Sequence, residues 1–409
     1  MLDIPTIDPT LAPTPAANPA RFIRMAFEGE DLAPLISERL NRLGVEADSS
    51  AGLLELGLLF QLVNDRDRAI KCQQAALAGR RLYRHGDAAA PALRLLAIAT
   101  LGDLMTNTPF ELMLEGRDVE ITKLYVDADQ LWADAMPDHD LAIMAVSESD
   151  RARPLLEQLQ DIEGRWPRPM INRPSRVLEL ARDRLYLALQ DAPGLAIPPT
   201  IRTSRQALAA AIEARSLGAV LPGAGFPVII RPVDSHAGKA LAKVDDWAQL
   251  QAYLANAAGD GGLYLSPFVD YRSADGLYRK YRIAVFGGRP HLCHMAVSEH
   301  WMVHYLNAGM AESEAKRGEE QHAMEDFDDA FARGHAAAFR SLNERLGLEY
   351  FAVDCAETRD GALLIFEADV AMIIHDLDPP GLYPYKKQQM KKVFDAFEVF
   401  LQSARAPAR

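Results

Sequence analysis

The sequence has 409 residues, about half of them hydrophobic and a quarter charged, and its formal net charge is −13. The length exceeds the usual size of one hydrophobic core, so more than one domain is expected. The acidic balance argues against a nucleic-acid-binding protein and against a basic protein of the membrane surface.

The compartment is predicted from what the sequence lacks. No apolar run approaches the roughly 18 residues of a membrane-spanning helix, and no basic segment followed by an apolar one begins the chain. We therefore expect a cytoplasmic protein that does not enter a membrane. Cys72, Cys293 and Cys355 are widely spaced, which fits neither a disulfide framework nor a zinc finger, and we expect buried thiols.

The first quarter of the chain divides into a tail and a helical part. Residues 1–20 are rich in proline and are expected to be disordered, whereas 21–105 carry Leu and Ala at helical spacing. The stretch LLELGLLFQLVNDRDRAIKCQQAAL resembles one tetratricopeptide repeat, although Gln73 and Arg81 depart from the pattern. A single repeat favours a helical bundle packed on the rest of the protein, because solenoids need three or more units. The alternative is a domain that captures a protein or peptide partner.

Two further domains are predicted after residue 105. In 106–178, the strand-like run HDLAIMAVS and the helix-like run SDRARPLLEQLQDI are typical of a β-α-β unit, which builds a parallel sheet. In 179–409, strands dominate after residue 225, and the helical run YKKQQMKKVFDAFEVFLQSA should pack back on the body. The predicted fold class is mixed α+β and α/β.

Three carboxylates are expected near the turn TRDG, which makes YFAVDCAE and LLIFEAD antiparallel neighbours. Glu367 and Asp369 share one face of their strand because side chains alternate, and Asp354 lies nearly opposite Glu367. Oxygen ligands without Cys or His favour Mg²⁺ or Mn²⁺ over zinc. The alternative is that these carboxylates cap strand ends or pair with arginines.

Basic residues precede this hairpin in an order that suits a phosphate site. Arg231 ends the run FPVIIRP, and a loop of small residues follows in which backbone N–H groups can approach an anion. The polar and glycine positions of that loop are Ser235, His236, Gly238 and Lys239. Further cations are Arg184, Lys280 and Arg282. The alternatives are an ordinary glycine turn and charges that protect an edge strand.

Taken in order, these pieces resemble the ATP-grasp superfamily, closest in kind to its carboxylate–amine ligases. The resemblance covers roughly residues 107–400 and rests on INRPSRVLELARDRL, IPPT, FPVIIRPVDSHAGKALAKV, YLSPFVD, YRKYRIAVFGGRP and VDCAETRDGALLIFEAD. It implies an ATP-grasp domain of two α+β subdomains, 179–409, after a small α/β domain and the N-terminal helical region.

The resemblance also implies roles for individual residues. Arg184 and Arg231 stand where the family usually has lysines that hold ATP phosphates. Arg282 would approach the transferring phosphate. Asp369 replaces the usual Asn of the Glu-x-Asn metal motif. The remaining implied nucleotide contacts are Ser235, His236, Gly238, Lys239, Ser266, Phe268 and Lys280, and the implied metal ligands are Asp354, Glu367 and Asp369.

The implied activity is an ATP- and Mg²⁺-dependent ligase that converts a carboxylate to an acyl phosphate and joins it to an amine. The substrates would be small molecules or peptides, and His304 and Asn307 are candidate substrate contacts. A zinc site using His300 and His304 is a weaker alternative, since Trp301 stands where a zinc protease has Glu. A kinase and a nucleotide-binding scaffold are the competing functions. A homodimer is the default expectation for a soluble enzyme.

Overall fold

The structure is a computed structural model that describes residues 4–43, 48–85, 90–131, 135–235, 238–256 and 261–405. Its helices are α1 (Pro19–Phe27), α2 (Ala33–Leu43), α3 (Ser50–Leu62), α4 (Arg66–Gly79), α5 (Phe110–Leu114), α6 (Arg153–Gln160), α7 (Pro174–Val177), α8 (Arg182–Leu189), α9 (Arg205–Glu213), α10 (Trp247–Asn256), α11 (Glu314–Glu325), α12 (Ala336–Leu346) and α13 (Lys386–Ala404). None of these helices is long and apolar enough to cross a membrane.

The strands are short in the first half of the chain and longer in the second. They are β1 (Thr6–Asp8), β2 (Thr14–Pro15), β3 (Leu82–His85), β4 (Leu93–Ala99), β5 (Val119–Tyr125), β6 (Ala135–Pro137), β7 (Leu141–Met144), β8 (Met170–Ile171), β9 (Leu195–Ala196), β10 (Ile201–Thr203), β11 (Val228–Pro232), β12 (Ala242–Val244), β13 (Leu263–Pro267), β14 (Tyr278–Phe286), β15 (Arg289–Ser298), β16 (Tyr350–Glu357) and β17 (Leu363–Asp369).

Helices α3 and α4 form a closely packed pair near the start of the chain. Helix α4 begins after Asp65, whose carboxylate accepts a hydrogen bond from the Arg68 backbone N–H at 3.1 Å. Gly57 lets the two helices approach, because an added Cβ there would lie 2.7 Å from Gln73 Cγ. Leu56 is completely buried in the contact. The helical pair is present, and the tetratricopeptide interpretation stays a prediction.

Two parts of the N-terminal region differ from the expectation. The helices end at Gly79, and the segment expected to continue the helical domain contains β3 and β4. The run LRLLAIA of β4 is almost wholly buried, and such a continuous apolar run suits a strand covered on both faces. The described part of the expected tail is also ordered: β1 pairs with β6, and β2 pairs with β3. Strand β2 lies at a sheet edge, where its proline is tolerated.

A six-stranded sheet in the order β2-β3-β5-β4-β7-β8 follows the helices. Strand β4 runs parallel to β5 and β7, and β7 runs parallel to β8. Helix α6 connects β7 to β8, so the predicted β-α-β unit is confirmed. Its parallel strands bring their carboxyl ends to one edge of the sheet.

Two sheets dominate the second half of the chain, and all their strand pairs are antiparallel except the parallel pair of β17 and β9. The four-stranded sheet has the order β10-β13-β11-β12, and residues such as Leu208 of α9 and Leu250 of α10 share its core. The five-stranded sheet has the order β15-β14-β16-β17-β9. Between β16 and β17, Gly361 takes a φ of 82° and donates to Thr358 O at 3.0 Å, which closes the predicted hairpin. The predicted α+β fold class is confirmed.

Candidate active site

A cleft of about 800 Å³ is lined by residues of both antiparallel sheets, of helices α8 and α1, and of the loop after β7. Most of the side chains expected to form a site border it. They are Arg231, Ser235, Gly238, Ser266, Phe268, Lys280, Arg282, His304, Asn307, Asp354, Glu367 and Asp369. Arg184 and the exposed Lys239 do not border it. His236 lies outside the described residues.

Asp354 is the most deeply buried of the three expected metal ligands. It is 2% exposed, and it lies directly across the β16–β17 pairing from Glu367. Lys280 Nζ donates to it at 2.8 Å, while Arg282 donates through Nε at 2.8 Å and Nη2 at 3.0 Å. Burial would raise the pKa of Asp354, but the charges of Arg282 and Lys280 hold it well below its usual range. Asp354 is therefore ionised and paired.

The other two carboxylates have different partners. Arg182 contacts the Glu367 carboxylate through Nη2 and donates to Phe366 O at 2.8 Å through Nη1. Ser147, which follows β7, donates its hydroxyl to Asp369 at 2.9 Å. The three carboxylates therefore accept hydrogen bonds from different side chains.

The three carboxylates have separate hydrogen-bond partners, which differs from the metal site expected from the sequence. Within the described ranges, no group of three or more His, Cys, Asp or Glu side chains is arranged to hold a metal ion. The three-carboxylate clamp is not formed in this arrangement, because Lys280 and Arg282 engage the oxygens of Asp354. The donor chemistry nevertheless fits Mg²⁺, which needs only one or two carboxylates in addition to substrate phosphates. Their role as metal ligands stays a prediction.

Of the two arginines in the sequence RDR, the structure brings Arg182 and not Arg184 to the cleft. Arg184 pairs with Glu179 at 3.2 Å, and its side chain is 41% exposed. Both arginines lie on α8. Each residue of an α-helix turns by about 100°, so side chains two residues apart point to nearly opposite sides. The expectation from sequence named Arg184, and its role as a phosphate contact stays a prediction. Helical periodicity alone could have shown that only one of them faces the cleft.

Arg231 lies on β11 in the four-stranded sheet, and its side chain lines the cleft. Its Nε donates to Ser235 Oγ at 3.0 Å, and its Nη2 contacts Ser235 O. Burial and the positive charge of Arg182 lower the pKa of Arg231 to about 9. Burial also lowers the pKa of Arg182. Two partly buried guanidinium groups that repel each other are stabilised by an anion placed between them.

The loop after β11 places small and polar groups next to Arg231. Ser235 Oγ donates to Pro232 O at 2.7 Å, which fixes the start of the loop. Gly238 takes a φ of 71°, a conformation that favours glycine, and it lines the cleft. Gly238 adds no side chain to the cleft, and its contact with a phosphate stays a prediction.

Apolar side chains line the part of the cleft next to β11 and β13. Ser266 pairs with Ile229 across β13 and β11, and Phe268 follows β13. The Phe268 ring packs against Trp301 at 5.8 Å between centroids, and the ammonium of Lys243 lies 4.9 Å from the Phe268 centroid. Such a surface suits a flat aromatic ring.

His304 and Asn307 border the cleft beside Lys280 and Arg282, and they also form a structural cap. Asn307 Oδ1 accepts from the His304 N–H at 2.9 Å, and His304 Nδ1 accepts from the Leu306 N–H at 3.4 Å. Burial and the Lys280 charge lower the pKa of His304. In the described chain the zinc alternative lacks a ligand cluster.

Glu148 is a cleft residue that the sequence did not single out. It follows β7, beside Ser147, and Arg153 contacts its carboxylate. Burial raises the pKa of Glu148 to about 7, against the opposing charge of Arg153. Ligands of open α/β sheets bind beyond the carboxyl ends of the strands, and this rule was the signal that could have indicated Glu148.

A scan of the sequence against models of protein families finds no match. Solved structures that resemble the chain include a RimK domain protein ATP-grasp from Sphaerobacter thermophilus, 18% identical with a TM-score of 0.40, covering 74% of this chain and 98% of that one. A D-alanine–D-alanine ligase from Bacillus anthracis complexed with ATP is 14% identical with a TM-score of 0.44, covering 78% and 100%. D-alanyl-alanine synthetase A from Vibrio cholerae is 11% identical with a TM-score of 0.47, covering 77% and 99%.

Proposed function

We propose that the protein is an ATP-dependent ligase of the ATP-grasp kind, which activates a carboxylate and joins it to an amine. The observation that carries this proposal is that two guanidinium groups, Arg182 and Arg231, share one cleft with the carboxylates Asp354, Glu367 and Asp369. Cations and carboxylates that share one cleft suit a polyphosphate with a divalent metal ion.

The cleft offers a position for each part of the nucleotide. Arg182 and Arg231 would hold phosphate oxygens, and Gly238 would let the loop backbone approach them. The surface formed by Ile229, Phe268 and their neighbours would take the adenine ring. Glu367 and Asp369, with Asp354 behind them, would hold Mg²⁺, which neutralises phosphate charge when it is bound.

The reaction would proceed in two balanced steps. An oxygen of the substrate carboxylate attacks the γ-phosphorus of ATP, the bond from that phosphorus to the ADP oxygen breaks, and an acyl phosphate forms. The amine nitrogen then attacks the acyl carbon, inorganic phosphate leaves, and the nitrogen loses a proton. Arg282 lies in the cleft next to Asp354, where its charge can stabilise the transferring phosphate.

The experiment begins with binding of MgATP, measured by isothermal titration calorimetry. Arg231→Ala removes one buried cation and is expected to weaken binding roughly 10- to 100-fold, because hydrogen bonds to charged groups contribute about 1.5 to 3 kcal/mol. Lys239→Ala is the matched control, since Lys239 is exposed on the same loop and does not line the cleft. Equal effects of the two substitutions would contradict the proposed phosphate site.

Product analysis then separates the competing functions. ADP and phosphate released together with a new amide support the ligase. ADP formed with a stable phosphorylated product supports a kinase instead. Tight MgATP binding without ADP under any mixture of carboxylates and amines supports a scaffold.

A further inference from the structure

One end of the cleft is an apolar chamber built by distant parts of the chain. Helix α1 contributes Ile23, Ala26 and Phe27, and the segment after β17 contributes Met372, Ile373 and Ile374. The remaining apolar wall consists of Leu62, Leu104, Met105 and Leu377, of which Leu62, Leu104 and Leu377 belong to one hydrophobic cluster with Ile23 and Ile373. Together these apolar side chains form what we call the chamber.

The chamber wall is fixed by specific contacts. Arg24 of α1 donates to Glu115 at 2.6 Å and to Asp376 at 3.1 Å. The Phe27 ring lies 5.3 Å from the His375 ring. Ile23 is buried in one cluster with Leu377. These contacts hold α1 against the segment after β17, so the wall is part of the folded body.

The chamber adjoins the position proposed for the chemistry. The segment after β17, which forms part of the chamber wall, begins directly after Asp369. Within it, the carbonyl oxygen of Ile373 lies 3.4 Å from Arg282 Nη1. Thr108 anchors the same segment by donating to Val370 O at 2.8 Å. A molecule whose body fills the chamber therefore presents its end to Arg282.

The ionisable groups that border the chamber are neutral or paired. Burial lowers the pKa of His375 to about 4, which makes its imidazole neutral at pH 7. Lys386 pairs with Glu320 at 2.8 Å and lies 3.5 Å from Asp378. A charged group on the body of a ligand would thus lose hydration without gaining an opposite charge of its own.

We propose that the chamber binds the apolar body of the substrate, so that the activated molecule is a carboxylate carrying a long aliphatic or large aromatic group. This assignment rests on the proposed ligase function. Each methylene buried in the chamber is expected to improve kcat/KM about 4-fold, until the chamber is filled.

The test uses the full-length protein with MgATP, a series of straight-chain carboxylates from acetate to octanoate, and hydroxylamine as the amine. Hydroxylamine attacks the acyl carbon and releases phosphate, so the product is a hydroxamate, which is measured as its coloured complex with ferric iron. Hydroxamate formation should rise along the series. Octanoate should also displace the fluorescent apolar carboxylate cis-parinarate, which measures binding independently of turnover.

A variant in the wall adds a second measurement. Phe27→Ser is expected to weaken octanoate binding about 10-fold, because the apolar area that the aromatic ring offers to the ligand is lost. Leu40→Ser is the matched control, because Leu40 and Phe27 are similarly exposed, at 45% and 43%, and Leu40 does not line the chamber. An unchanged octanoate affinity in Phe27→Ser would overturn the chamber assignment.

The outcomes distinguish failure of this inference from failure of the proposed function. If hydroxamate forms but octanoate reacts and binds no better than acetate, the apolar assignment is overturned while the ligase remains. If apolar amines accelerate the reaction of acetate instead, the chamber belongs to the amine, and the assignment to the carboxylate is overturned. If octanoate binds and no carboxylate yields hydroxamate or ADP, the ligase is overturned while the chamber remains.

Discussion

Replacing Asp354 with Asn tests whether this carboxylate is the counter-charge that keeps two buried cations in place. The change keeps the size of the side chain and removes its charge. Lys280 and Arg282, which donate to Asp354 at 2.8, 2.8 and 3.0 Å, then lose its negative charge and one of its two acceptor oxygens. We expect the substitution to destabilise the fold even before any ligand is considered.

The magnitude follows from burial. The side chains of Lys280, Arg282 and Asp354 are 14%, 19% and 3% exposed. Removing one partner of a buried ion pair typically lowers the free energy of unfolding by about 3 to 5 kcal/mol, because the other charge stays buried without compensation. Two cations share this one carboxylate, so a value near the upper end is expected.

Urea unfolding followed by circular dichroism measures this change without substrate. Asp328→Asn is the control: its pair with Arg289 spans 3.5 Å and both side chains are about two-thirds exposed or more, so a change below about 1 kcal/mol is expected. If Asp354→Asn changes the free energy of unfolding by no more than the control does, then Lys280 and Arg282 do not depend on Asp354, and the electrostatic reasoning is wrong.

Two further predictions concern the arginines of α8 and a buried histidine. Arg182→Ala should weaken MgATP binding at least 10-fold in calorimetry, whereas Arg184→Ala, on the opposite side of the helix, should change it less than about 2-fold; the reverse order would support the assignment made from sequence. Burial lowers the pKa of His291 to about 4, so the unfolded chain binds a proton first as the pH falls. The free energy of unfolding should therefore fall by up to about 3 kcal/mol between about pH 6.5 and pH 4, because protons bind to the unfolded chain and not to the folded one in this range. Thermal unfolding of His291→Phe across this range should show a smaller loss, and an unchanged pH dependence would contradict the assignment.

Much of the second half of the chain could be predicted from sequence because its signals are local. The turn at Asp360 and Gly361 predicts the hairpin, and alternation places Glu367 and Asp369 on one face. A register shift between Asp354 and Cys355, which the turn does not predict, brings Glu367 directly opposite Asp354. The same alternation predicts that Lys280 and Arg282 lie on one face of their strand. Local periodicity was sufficient for side chains that share one face of one strand.

The remaining features depend on contacts between distant parts of the chain. The pairing of Asp354 with two cations follows from the register between β14 and β16, which no local turn determines. The ordered strand β1 depends on β6, and the cleft position of Arg182 depends on how α8 packs against β17. Sequence patterns contain the components of these contacts, but not the tertiary arrangement that selects among them.

The contact between Arg24 and Asp376 joins residues that are 352 positions apart. During synthesis, α1 leaves the ribosome long before the segment that it will meet. The wall contributed by α1 can therefore close only after nearly all of the cleft-forming chain has been made.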